Sequence, residues 1–130
     1  MNSSTQSTKM APEASLYERL GGEISIRAIA GDIVDNHLRN ELVRPRFANS
    51  DRNKLVRLAA EFICMGTGGP QHYTGKDMRA AHRGLNISEQ EYMAVVDDIL
   101  AALDKHGVGE RERREVLSIA YGLKADILRL

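Results

Sequence analysis

His82 stands in the stretch Gly75 to Ile87, G-K-D-M-R-A-A-H-R-G-L-N-I, and it is the residue here best suited to chemistry. The spacing predicts a short helix from Lys76 to Leu85, with Met78 one turn before His82 and Leu85 one turn after it on the same face. That face is apolar except for the imidazole. A neutral imidazole has one donor nitrogen and one acceptor nitrogen, so it can bond its own backbone through the first and offer the second to a metal. On the local sequence alone the plain alternative, a histidine satisfied within the core or at its boundary, is the commoner case.

The other histidines have different surroundings. His37 lies on the apolar stripe of an earlier helix, where it either donates to a ligand or is a core histidine bonded to a carbonyl or a glutamate. His72 sits in a loop and is expected to be exposed. His106, beside Gly107 at a helix end, is expected to interact with the terminal carbonyls. Cys64 is the only cysteine, which excludes an internal disulfide and a cysteine-based zinc site and fits a reducing, cytoplasmic setting. Its neighbours Phe62, Ile63 and Met65 predict a buried, inert thiol.

These residues must be positioned by helices, because no useful stretch alternates as a strand does. Ser15 and Glu18 have the spacing of a capping box that opens a short helix, and Gly21-Gly22 stops it and permits a sharp turn. Ile26, Ile29, Ala30, Ile33, Val34, His37 and Leu38 then repeat as one face of a helix of about four turns. Arg39 to Ser50, with Pro45, reads as a connection holding at most a turn or two. Ser50 or Asp51 caps the next helix, whose predicted buried stripe is Leu55, Leu58, Ala59, Phe62, Ile63 and Gly66, and Thr67-Gly68-Gly69-Pro70 ends it. A second capping box, Ser88 with Glu91, opens a long helix that turns Tyr92, Val95, Val96, Ile99, Leu100 and Leu103 inward, and Gly107 closes it. The last helix starts near Glu110 and is expected to bury Val116, Leu117, Ala120, Leu123 and Ile127.

Length and charge limit the function classes. The 130 residues suit one domain, read as a disordered extension over 1–12 followed by a folded unit over 13–130. Lys plus Arg equals Asp plus Glu at 18 each, so nothing draws the chain toward nucleic acid or an acidic membrane surface. A helix-turn-helix regulator, also short and all-α, should carry a basic recognition face that is absent here. No apolar stretch approaches the roughly 20 residues needed to span a bilayer.

The order of motifs resembles the truncated haemoglobins of the two-over-two helical globin fold, and within them the first group. The matching elements are Tyr17-Glu18-Arg19-Leu20-Gly21-Gly22, Phe47, Gly68-Gly69-Pro70, Tyr73-Thr74-Gly75 with Met78, Ala81 and His82, and the helix ending at Gly107-Val108. The resemblance implies an all-α truncated globin that sandwiches haem b. It makes His82 the proximal iron ligand and the one metal ligand, with Met78 and Leu85 lining the proximal side and Phe47 against the haem edge. Tyr73, Val95 and Arg79 join the expected haem environment, and Lys76, Lys54 and Arg57 are further candidates to pair with the propionates.

On the distal side the chain departs from the family. The tyrosine usual on the second helix is replaced by Val34, and the glutamine frequent on the third by Ala59. Leu55 stands at a position that bears Gln or Leu, and Leu58 where some relatives place a histidine. Ile33 and Arg46 replace two aromatics. The expected pocket is apolar with no evident donor, which predicts weak dioxygen binding and better-retained binding of CO and NO. Gas binding in NO/O2 chemistry or sensing is thus the leading expectation, with a reductase as a possible electron-donating partner for NO dioxygenation. The alternatives are a peroxidase-like catalyst, for which only His37 could be the distal acid/base, and a haem-free helical interaction module.

Overall fold

In the computed structural model, which describes residues 13–130, the first capping box forms as the spacing predicts: Ser15 Oγ accepts from the Glu18 backbone at 3.1 Å, and Glu18 accepts from the Ser15 backbone at 2.9 Å. The disordered extension expected over 1–12 lies outside the described residues. Helix α1, Leu16–Arg19, is stopped by Gly21 and Gly22 at φ +102° and +78°, a left-handed turn open to glycine. A side chain at Gly21 would also meet Ser25, its Cβ falling 2.7 Å from that of Ser25.

Helix α2, Gly22–Arg39, buries Ile26, Ile29, Ala30, Ile33 and Val34. The connection after it holds one 3-10 turn, Arg44–Phe47, with Pro45 inside the start. Helix α3, Arg52–Gly66, packs on α2, and α2 packs in turn on α5, Glu89–Lys105, which lies beside α6, Glu110–Gly122. The result is an all-α arrangement of two helix pairs, α2 with α3 and α5 with α6. Between them runs the loop that carries the short α4, Met78–His82. Among the described residues there is no β-strand, only an isolated parallel bridge between Ile87 and Leu128. No helix among them is long and apolar enough to cross a membrane.

The core has three clusters. One gathers Leu16, Leu20, Ile26 and Cys64; a second Ile29, Ile33, Ala102 and Leu103; a third Ile87, Tyr92 and Val96. Cys64 is buried, as its apolar neighbours predict, and burial pushes its thiol pKa up.

Three expectations about elements change. Helix α4 is shorter than the predicted Lys76–Leu85: Asp77 caps it at Ala80, while Arg83 is extended and Gly84 takes φ +86°, so Leu85 lies in the following turn. The last helix stops at Gly122, and a 3-10 turn, Lys124–Asp126, takes the chain to Ile127. The tail beyond is tacked onto the segment after α4, with Asn86 donating to Leu130 at 2.8 Å and Arg129 to Ile87 at 3.0 Å. Finally, Gly66 is exposed, and Leu55, Leu58, Ala59, Phe62 and Ile63 are half-buried although they form the apolar stripe of α3. An apolar stripe left half-covered faces a space instead of packed side chains.

Candidate functional site

That space is a cavity of about 480 Å³ enclosed by α2, the 3-10 turn, α3, α4, α5 and the C-terminal segment. Its size is that of a site for a small molecule or cofactor. Val34 comes to its wall from α2, Phe47 from the 3-10 turn, and Leu55, Leu58 and Ala59 from α3. Tyr73, Met78, His82 and Leu85 come from the loop and α4, and Val95 from α5. Five separate stretches of sequence thus bring ten of the expected site residues to one cavity. Leu85 reaches it from the turn, not from a helical face.

Helix α4 aims the imidazole. His82 Nδ1 lies 2.7 Å from the carbonyl oxygen of Met78, one turn back. A carbonyl can only accept, so Nδ1 carries the hydrogen and Nε2 keeps its lone pair. No protein group among the described residues bonds Nε2, and the ring is on the cavity wall. This is the orientation in which histidine serves as a metal ligand, its far nitrogen tied down.

Arg79 is the expected site residue that does not line the cavity. Its guanidinium pairs with Asp126 at 3.3 Å on the exposed side of α4. Lys54, Arg57 and Lys76 are likewise outside the wall; Arg57 bonds Thr74 at 3.0 Å and Glu61 at 3.3 Å. His72 is exposed in its loop, as expected. His106 corrects the expectation of a helix-end contact, since its Nε2 lies 2.6 Å from an Asp32 oxygen on α2.

Arg46 contributes what sequence reasoning missed, having appeared only as a replaced aromatic. Its Nε and Nη2 donate to the two Glu91 oxygens at 2.7 and 3.0 Å, and its Nη1 to the Leu85 carbonyl at 2.8 Å. The 3-10 turn, the start of α5 and the segment after α4 are thereby clamped at one edge of the cavity. Among the described residues, Arg46 and Glu91 are the only Lys, Arg, Asp or Glu side chains in its wall. The Arg46 hydrogen bonds, followed by the Ser88 backbone N–H, lower the Glu91 pKa to about 2. A carboxylate depressed in the folded state stabilises above its ordinary value near 4.5 and loses that contribution as pH falls toward about 2. Replacing Arg46 with Met should therefore move the acid-unfolding midpoint, followed by far-ultraviolet circular dichroism, to higher pH. An unmoved midpoint would show that the clamp adds nothing to acid resistance.

His37 also reaches this cavity. Its ring stacks on Phe47, centroids 5.8 Å apart and planes within 6°. Its Nδ1 lies 2.8 Å from Asp98 Oδ2 on α5, so its partner is an aspartate instead of the expected carbonyl or glutamate. Asn40 donates to both oxygens of Asp98 at 3.2 Å, and Asn36 to its backbone carbonyl at 3.0 Å. Burial lowers the His37 pKa against the opposing pull of Asp98.

Beyond Ile33, Phe62, Ile99, Ala120 and Leu123, which line both spaces, lies a second cavity of about 120 Å³. Its wall is apolar throughout and includes Leu20, Ile26, Ile29 and Val116 from the core clusters.

With this geometry in view, similarity to known proteins is informative. Residues 15–128 match the family model of the bacterial-like globins. The group 1 truncated haemoglobin of Tetrahymena pyriformis is 31% identical over 113 residues, covering 87% of this chain and 93% of that protein. The crystal structure of the truncated haemoglobin from that organism in its Fe(III) form superposes with a TM-score of 0.86 at 30% identity, over 90% of this chain and all of that one. A two-over-two haemoglobin from a Synechococcus species, solved in the cyanomet state with covalently attached haem, gives a TM-score of 0.83 at 26% identity, over 88% of this chain and 98% of that one. The chain belongs to the bacterial-like globin family, among the group 1 truncated haemoglobins.

Proposed function

We propose that this chain is a haem b protein that binds a small diatomic gas, O2, NO or CO, on the side of the iron opposite His82. The observation that carries the reading is the His82 ring, with Nδ1 bonded to the Met78 carbonyl and Nε2 left for the cavity. Among the described residues no three His, Cys, Asp or Glu side chains converge as a metal site, so a metal held by His82 would bring most of its ligands with it. A porphyrin does so. Its flat apolar ring suits a cavity walled by Leu, Val, Ile and Phe side chains.

When bound, haem supplies the iron that takes up the gas and shares electrons with it. The protein's part is to hold and to shield. His82 would hold the iron as the proximal ligand, with Met78 and Leu85 covering its side, Phe47 against the ring edge, and Tyr73 and Val95 completing the wall. Val34, Leu55, Leu58 and Ala59 form a distal wall with no hydrogen-bond donor. Bound dioxygen carries partial negative charge, and a missing donor costs about 1–3 kcal/mol, a factor of roughly 5 to 150 in affinity. Dioxygen should be released quickly, while CO and NO, which develop less charge, are less affected. NO chemistry or gas sensing therefore fits this wall better than dioxygen storage. Dioxygenation of NO would require an electron-donating reductase as a partner. The lone buried thiol of Cys64 supports a reducing, cytoplasmic setting.

Absorption spectra test the reading. The purified protein mixed with hemin should develop a Soret band that saturates at one haem per chain and shifts on reduction and on addition of CO. Protein that stays colourless and refuses hemin overturns it in favour of a haem-free helical module.

A further inference from the structure

Helix α4 is five residues long, too short to hold its own direction in water, and His82 is its last residue. Beyond His82 the chain leaves the helix, with Arg83 extended, so no further turn supports the backbone from which the imidazole hangs. The Nδ1 bond to the Met78 carbonyl fixes how the ring is turned. It does not fix where the helix end lies.

What fixes that end is the C-terminal segment. Among the described elements α4 packs chiefly on the 3-10 turn Lys124–Asp126, and Arg79 pairs with Asp126 at 3.3 Å. Four residues past His82, the Asn86 N–H donates to the Leu130 carbonyl at 2.8 Å, and the Arg129 N–H donates to the Ile87 carbonyl at 3.0 Å. These two bonds frame the isolated parallel bridge between Ile87 and Leu128. Asn86 and Arg129 are also the two non-glycine residues among those described with positive φ, at +50° and +55°. An arginine takes that left-handed conformation at a cost, and such strain persists only where the surroundings over-determine it. Behind the tie, Ile87 and Ile127 stand in the cavity wall and pack in the cluster of Tyr92 and Val96.

We propose that residues 126–130 form a strap that positions His82, its backbone tie to Asn86 and Ile87 setting the direction from which Nε2 meets the iron. The inference rests on the haem reading. The Leu85 N–H, bonded to the His82 carbonyl at 3.1 Å, closes the turn between tie and ligand, so a shift at Asn86 is passed to His82 through one compact turn. Met78 sets the rotation of the ring, and the strap sets its place. A ligand held in position beforehand need not be ordered when the metal arrives, which is why the groups that orient a metal-bound histidine count toward its affinity.

Two substitutions at one position separate the backbone tie from the side chain. Arg129→Pro removes the N–H given to Ile87 and cannot adopt φ +55°, whereas Arg129→Gly keeps the N–H and takes that conformation freely. In the hemin-loaded, reduced protein the iron–histidine stretching band, read by resonance Raman, should shift and broaden in Arg129→Pro and stay in place in Arg129→Gly. Hemin transfer to a colourless acceptor should quicken by about 10-fold in the proline variant only, the low end of what losing a ligand's orienting partners costs, because Arg46 still holds the Leu85 carbonyl. Before hemin is added, hydrogen exchange of the Arg83 N–H, which bonds the Arg79 carbonyl at 3.0 Å, should be faster in the same variant. A general loss of stability would lower the unfolding midpoint and leave the band where it is.

An unmoved band with an unchanged transfer rate overturns the proposal and leaves the gas-binding reading standing. So does an equal shift in the glycine variant, which would assign the effect to the side chain. If the proline variant takes up no hemin, Asp126→Lys, which turns the pair with Arg79 into a repulsion, is read in its place: a shifted band supports the strap and an unmoved one overturns it. A natural chain that takes up no hemin overturns both readings together.

Discussion

Replacing His82 with Gly is expected to remove the proposed proximal ligand and to speed hemin loss by more than about 100-fold, since removing even the partners that orient a metal ligand costs 10- to 100-fold. The rest of the wall would still attract a porphyrin, because its apolar side chains come from α2, α3 and α5 and do not depend on α4. What disappears is the coordinate bond from Nε2 and its fixed direction, which the Met78 carbonyl sets from the other side of the ring. Transfer of hemin to a colourless acceptor, followed at the Soret band, measures the loss, and imidazole added to the glycine variant should restore much of the spectrum. Equal transfer rates for the natural chain and the variant would show that His82 is not the proximal ligand. Asp77→Ala offers a milder comparison. It removes the cap on the Ala80 N–H and loosens the short helix without touching the imidazole.

Val34→Tyr should produce the other large effect, in the opposite sense. Val34 is buried on α2 and stands in the cavity wall, at the position where the resemblance to the first-group proteins implies a tyrosine. A phenol there would supply the hydrogen-bond donor that Val34, Leu55, Leu58 and Ala59 lack. Dioxygen dissociation, measured by stopped flow, should slow by roughly 5- to 150-fold, corresponding to a donor worth about 1–3 kcal/mol. CO dissociation should change much less, because CO bears less charge. The larger side chain has the main cavity to extend into, and any overpacking cost, typically 1–3 kcal/mol, would appear in denaturation and not in the ratio of the two gases. If the natural protein already releases dioxygen as slowly as the tyrosine variant, the distal wall contains a donor and the argument for weak dioxygen binding fails.

How far the chain could be read without its structure follows the range of the interactions concerned. Both capping boxes, the glycine-pair turn, the closing role of Gly107 and the apolar stripes were legible, because each joins residues within a turn or two and local backbone chemistry decides it. His82 and its Met78 neighbour were legible for the same reason. The tertiary structure decided which half of each stripe is packed and which half faces the cavity: Ala60 and Cys64 of α3 are buried while Leu55, Leu58 and Ala59 stay half-covered. It also decided the partners of the charged and polar side chains. Arg46 meets Glu91 across 45 positions, His37 meets Asp98 across 61, and His106 meets Asp32 across 74. Such pairs leave no periodic trace, since a carboxylate that far along the chain is brought to its partner only when the apolar faces between them collapse.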